Sequence, residues 1–250
     1  MTHGAILGEH LHLAAWLEKW MLRFQHRDTG AFFGTEETRQ AGDGEICFDS
    51  TTIACATLCL SGNLIEAERT GEFLRRLVRT QPDPERRFLC VWHTTRGLVT
   101  QFDAQQTRVY AIEWDQPQQY LYKIGLLVRA LALLHARTGR AEDLDLAEAL
   151  YRTAVTRSPN VWNNTLAHKL GWAAYTLGVL TGNPTYTAGA CGVADRVASL
   201  QQANGAFHYP EFWPPYDQVT VEQKCNIGLQ FATWLAYART LLITQNPIPS

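Results

Sequence analysis

The chain holds only four lysines, and two of them, Lys123 and Lys169, stand in the same local phrase. Tyr122-Lys123-Ile124-Gly125 opens an apolar run that closes at Thr138-Gly139. His168-Lys169-Leu170-Gly171 opens another that closes at Thr181-Gly182. Lysine is costly to bury unless it is paired. An ammonium at the start of an apolar helix therefore reaches an acid or water, or holds an anionic group of a substrate. His168 and Tyr122 precede the lysines at matching positions. Imidazole titrates near neutrality and a phenol donates or relays a proton, so either suits acid–base work, and either suits a hydrogen-bonded wall position. Superposing the turns Ser61-Gly62-Asn63 and Thr181-Gly182-Asn183 sets Asp49 against Lys169. Asp49 is then an acid–base partner for the lysines or the N-cap of its own helix. Lys224 is a weaker third lysine, because strict register gives its place to Asn226. With Glu222, the catalytic candidates are Lys123, Lys169, His168, Tyr122, Asp49 and Glu222.

Polar-aromatic segments supply the candidate binding residues. They are Trp92, His93, Glu113, Trp114 and Asp115 in one stretch, and His208, Glu211, Trp213 and Tyr216 in another, joined by Trp172 and Asn226. Aromatic mouths suit a hydrocarbon cation or a stacked sugar ring, and packing of one segment on another explains the same residues. Cys55 and Cys59 lie one turn apart without a histidine or acid beside them, so they read as core and no metal site is expected. No phosphate loop, dinucleotide fingerprint or nucleophile elbow occurs, and no cofactor is expected.

These residues need elements to position them, and the apolar periodicity supplies helices. The spacing predicts helices over about Glu9–Arg27, Asp49–Leu60, Ile65–Thr80, Gln118–Arg137, Ala141–Thr156, Thr165–Leu180 (with Asn164 as its cap), Thr185–Gln202 and Val221–Leu242. Amphipathic outer helices alternate with helices apolar on nearly every face, which are buried on both sides. The pattern predicts an all-α domain over 1–250: four outer/inner hairpins closing into a ring, with inner helices lining the centre. Gly30-Ala31-Phe32 and Gly205-Ala206-Phe207 repeat one stop signal, each with a Gln upstream. The region Arg87–Asp115 breaks the pattern. Phe88–Trp92, Leu98–Phe102 and Arg108–Ile112 read as strands, with a turn at Thr94-Thr95-Arg96-Gly97, in an insert over one mouth of the ring.

With a net charge of −2 and no basic block, the chain lacks the positive stripe that nucleic acid requires. Arg75, Arg76 and Arg79 read as a solvated face. No apolar run is long enough to span a bilayer. Met1–Phe24 lacks the form of a signal peptide, and the cysteines show no paired spacing, so they read as reduced thiols. A cytoplasmic location follows as the expectation.

The Gln…Gly-Ala-Phe turns, followed by Phe48-Asp49-Ser50-Thr51-Thr52-Ile53-Ala54 and Ser61-Gly62, resemble the α/α-toroid superfamily of terpenoid cyclases and protein prenyltransferase β-subunits. Tyr122-Lys123 to Thr138-Gly139 is similar to inner helices of linalool dehydratase-isomerase and of α/α-barrel sugar epimerases. The resemblance implies a toroid with a central active-site cavity. The Asp-x-Asp-Asp acid of class II terpene cyclases is matched only incompletely by Asp143-Leu144-Asp145-Leu146, and neither an Asp-rich diphosphate motif nor the prenyltransferase zinc triad can be placed. The expected activity is cyclisation, isomerisation or elimination of a small, largely apolar, natural-product-like substrate (isoprenoid or polyketide), a templated cycloaddition included. A carbohydrate epimerase or polysaccharide lyase on the same scaffold is the first alternative. A non-enzymatic binding or scaffold protein with a filled centre is the second. Expected partners are a small-molecule substrate and, where closure needs one, a second copy in a homodimer.

Overall fold

The computed structural model describes residues 11–117, 119–159, 161–163, 168–208 and 218–245, which are mostly helical with a few short strands. Helix α1 (Leu11–Leu22) and short α2 (Glu36–Ala41) precede strand β1 (Glu45–Cys47) and helix α3 (Phe48–Ser61). Helix α4 (Leu64–Arg79) leads into β2 (Arg87–Leu89), β3 (Val91–His93), β4 (Gly97–Leu98), the single helical turn α5 (Thr107–Tyr110) and β5 (Ala111–Glu113). Helices α6 (Tyr122–Thr138), α7 (Ala141–Arg157), α8 (His168–Thr181), α9 (Pro184–Ser199) and α10 (Val221–Gln245) complete the chain. The proposed cap Asn164 lies outside the described residues.

The hairpins form because glycine stops each apolar helix. Gly62, Gly139 and Gly182 take φ of 86°, 73° and 68°, a left-handed conformation that costs other residues energy. Their N–H groups return to the carbonyls of Leu58, His135 and Gly178. Helices α3, α6, α8 and α10 pack in sequence, each on the next, while α4, α7 and α9 fold back against them as a second layer. One apolar core runs between the layers.

The two Gly-Ala-Phe stops are structural equivalents. Gly30 and Gly205 have φ of 79° and 83°, and isolated antiparallel bridges join Gln25 to Phe32 and Gln201 to Phe207. Both phenylalanines are buried.

Several expectations need correction. The apolar residues of α1 are only partly covered: Ala14 and Leu17 are buried, but Trp16 and Trp20 are 62% and 45% exposed. Helix α3 is not buried on both sides throughout, since Ile53 is 52% exposed. Arg75 does not belong to a solvated face. It is buried in a two-pronged bond to buried Asp143 at 2.9 and 3.1 Å, and it also reaches Glu68 and Glu72. That pair ties α4 to α7, a link that helical periodicity does not reveal.

The insert departs from three simple strands. The pattern around Arg108 splits, because Gln106 Oε1 accepts from the Asp103 N–H at 3.1 Å and starts a helical turn; only Ala111–Glu113 is extended. β1, where the sequence pattern predicts no element, pairs antiparallel with β3, and β3 with β4; β2 pairs with β5. The Thr94–Gly97 turn joins β3 to β4, with Gly97 at φ 82°. Gln81, just beyond α4, accepts from the Leu89 N–H and donates to the Leu77 and Leu89 carbonyls. The Phe48 N–H donates to the Cys90 carbonyl. The insert is thereby held against the N-terminal end of α3.

Candidate functional site

Close helix packing brings the two lysines together. Gly125, two residues after Lys123, faces the backbone of α8: a Cβ there would lie 2.5 Å from the Lys169 carbonyl carbon and oxygen. Gly171 has the same role in the next helix contact, where a Cβ would meet Val193 and Trp234 at 2.8 and 2.9 Å. The repeated glycine therefore answers to helix–helix contact, and it lets the first turn of α8 lie directly against that of α6.

Asp49, Tyr122, Lys123 and Lys169 meet at these N-terminal turns. Tyr122 donates its hydroxyl to Asp49 Oδ2 at 3.2 Å, and Lys123 Nζ lies 3.6 Å from Asp49 Oδ1. Lys123 also donates to Cys47 Sγ at 3.0 Å and to the Val109 carbonyl at 3.1 Å. Lys169 Nζ sits 4.9 Å from the centre of the Tyr122 ring, within the range of a cation–π contact.

The two ammonium groups differ in character. Lys123 is 2% exposed. Burial opposes its charge, but the Asp49 carboxylate and the neighbouring thiols outweigh burial and raise its pKa above the ordinary value. It is a fixed cation held by three protein groups. Lys169 is half-buried and has no hydrogen bond or salt bridge to any described residue. Burial lowers its pKa to about 8, with Asp49 opposing the fall only incompletely. Burial and Asp49 push the Tyr122 phenol upward, so it remains a neutral donor. They also raise Cys47 despite Lys123 beside it. Cys47, read from sequence only as a reduced thiol, accepts from Lys123 and donates to Asp49 Oδ1 at 3.3 Å.

Lys169 opens onto a cavity of about 430 Å³, within the size range of small-ligand clefts. Its wall draws on five helices: Leu17, Trp20 and Met21 from α1, Thr52, Ile53, Ala56 and Thr57 from α3, Leu126 and Arg129 from α6, Lys169 and Trp172 from α8, and Gln230 from α10. Most of this wall is apolar. Exposed Trp20 and Ile53 lie on its solvent side. Helix α1, expected in the outer layer, thus also furnishes a portion of the cavity wall.

Of the other candidates, Trp172 lines the cavity, with the Arg129 guanidinium 5.4 Å from its ring centre. His168 is fully buried behind the wall; its Nε2 lies 3.2 Å from Gln230 Oε1, and its ring meets Trp172 and Phe231 edge-on. Asn226 accepts from Gln230 Nε2 at 3.2 Å. Gln230 and Arg129 are cavity residues that the sequence pattern did not single out. The signal for Arg129 was its place as the lone charge in the run Ile124–Leu134.

The insert residues do not reach this cavity. Trp114 is buried and donates its indole N–H to the Pro84 carbonyl at 2.8 Å. Trp92 is buried edge-on against Phe73. Glu113 faces Arg86 and Arg87 at 3.7 and 3.8 Å. His93 lies 3.6 Å from Asp43 and 3.1 Å from Thr95 Oγ1. Asp115, His208 and Glu222 are exposed. The structure thus gives this group packing and surface positions rather than a shared site. Glu211, Trp213 and Tyr216 lie outside the described residues.

Among the described residues no three His, Cys, Asp or Glu side chains gather as metal ligands, and no helix is long and apolar enough to cross a membrane. No protein-family model, curated protein or solved structure matches this chain.

Proposed function

We propose that this protein is an enzyme that isomerises, cyclises or eliminates from a small, largely apolar, natural-product-like molecule. The reading takes α3, α6, α8 and α10 as the inner staves of an α/α toroid, with the cavity at its centre. One observation carries it: Lys169 presents a desolvated amine to an otherwise mainly apolar cavity. An amine that titrates at about 8 is poised to take and return protons near neutral pH. Arg129 and Gln230 supply polar anchor points for one end of the substrate, while Leu17, Leu126 and Trp172 enclose its apolar body. Lys123 and Asp49 act as a positioning pair that fixes Tyr122 beneath the Lys169 amine.

A carbohydrate epimerase would want a cleft rich in hydrogen-bonding groups, and the apolar wall weighs against it. A scaffold protein predicts a filled centre, and the cavity weighs against that. The test is incubation in D2O with a panel of isoprenoid and polyketide acids, alcohols and carbonyl compounds, followed by mass spectrometry. Deuterium wash-in or product formation that disappears in Lys169→Met is the expected result. A panel that neither binds nor exchanges refutes the reading.

A further inference from the structure

We propose that Lys169 captures carbonyl groups: the cavity takes an apolar aldehyde or ketone and holds it as an iminium on Nζ. This deepens the reading above, because it rests on the same cavity and names the functional group its substrate carries. Three geometric facts support it. Lys169 is bound to no carboxylate and no hydrogen-bond acceptor among the described residues, so its nitrogen is not committed to a salt bridge as Lys123 is. The Tyr122 ring face, 4.9 Å away, holds a cation at this point without consuming its protons. The buried lining residues Leu17, Ala56 and Leu126 set apolar surface around the site, which disfavours the water that would hydrolyse an imine. The lowered pKa of the amine supplies its nucleophilic form near neutrality.

The step balances within the site. The neutral amine attacks the carbonyl carbon, a C–N bond forms, and the C=O π pair moves to oxygen, which takes a proton. The carbinolamine C–O bond then breaks and water departs. Overall, one ammonium and one carbonyl give one iminium and one water, and the single positive charge stays over the Tyr122 ring. The iminium withdraws electrons from the adjacent carbon, acidifies its C–H bonds, and so serves the isomerisation, elimination or ring closure proposed above.

The test uses citronellal as the carbonyl probe and citronellol as its carbonyl-free analogue. The full-length protein is incubated with citronellal at pH 7.5, reduced with borohydride and mapped by peptide mass spectrometry. Binding of citronellol is followed by tryptophan fluorescence, since Trp20 and Trp172 line the cavity. At this pH an amine titrating at about 8 is neutral roughly two hundred times more often than an ordinary lysine. Labelling of Lys169 is therefore expected to exceed that of exposed Lys19 by at least ~10-fold, to rise with pH through about 8, and to be suppressed by excess citronellol. Mapping the wild-type chain locates the adduct without relying on a variant, and Lys169→Met is expected to lose it. Citronellol binding without preferential labelling of Lys169 overturns the carbonyl inference and leaves the cavity reading standing. Absence of binding by both probes overturns both.

Discussion

Replacing Lys169 by methionine tests the electrostatics of the site without knowledge of any substrate. Methionine keeps all but the last atom of the side chain's length and removes the charge. An ammonium whose pKa falls from 10.5 to about 8 on folding opposes folding by about 3 kcal/mol at neutral pH, at about 1.4 kcal/mol per pH unit. Because the side chain is half-buried rather than sealed, about 2–3 kcal/mol is the sounder expectation. The sign follows from proton counting. Between the folded and unfolded values the unfolded chain binds more protons, so the wild type gains stability as pH rises through that window. The wild-type deficit relative to Lys169→Met is therefore full below about pH 8 and shrinks to nothing near pH 10.5. Guanidinium unfolding of both proteins from pH 7 to 9.5 measures the difference, in which other titrating groups cancel. The variant should be more stable at pH 7, and the gap should close by about 2 kcal/mol by pH 9.5. A gap that is flat across this range, or a variant less stable at pH 7, refutes the account of a desolvated amine.

Three further perturbations test the scaffold around it. Gly125→Ala, which in a free-standing helix would gain up to about 1 kcal/mol, should instead cost about 2–3 kcal/mol in denaturant unfolding, because its Cβ meets the Lys169 backbone. Asp49→Asn removes the carboxylate facing buried Lys123 and should destabilise by about 2–4 kcal/mol. It should also move the pH midpoint of Lys169 modification by an amine-reactive reagent below about 8, since Asp49 is the group that raises it. Asp143→Ala strands the buried Arg75 guanidinium and should cost about 3 kcal/mol in thermal or chemical unfolding, with Glu68 and Glu72 limiting the loss.

What could be read from the sequence was whatever repeats. The Gly stops at Gly62, Gly139 and Gly182 marked the hairpins, and alignment on them gave Asp49 the register position of Lys169; the structure sets Asp49 against Lys123 and Tyr122. The Gly-Ala-Phe stops foretold two equivalent turns. Features set by contacts between distant segments were not legible. Arg75 lies on a helix whose charge pattern looks solvated, and only the approach of Asp143 makes its burial tolerable. Trp92 and Trp114 looked like binding residues because aromatic and polar side chains alternate around them. They are buried on the underside of the insert, Trp92 against Phe73 and Trp114 with its indole N–H on the Pro84 carbonyl. Cys47 carried no motif, yet it is the nearest partner of Lys123, because β1 delivers it to the helix N-termini.

The contrast between the two lysines follows from the repeat itself. In both α6 and α8 the second residue of the helix leans on the helix before it. Helix α6 leans Lys123 on α3, whose first turn offers the carboxylate of Asp49, with Cys47 just upstream. Helix α8 leans Lys169 on α6, whose first residue is Tyr122, and the hydroxyl of that tyrosine is already directed at Asp49. The same register therefore gives one lysine a counter-charge and the other only a ring face. A third step, from α10 to α8, replaces the lysine by Asn226 and reaches His168 through Gln230. One carboxylate serves two consecutive steps, and its geometry is spent on Lys123 and Tyr122. The amine left over is the one that faces the cavity, where an incompletely compensated cation is costly to stability and useful to proton transfer or carbonyl capture.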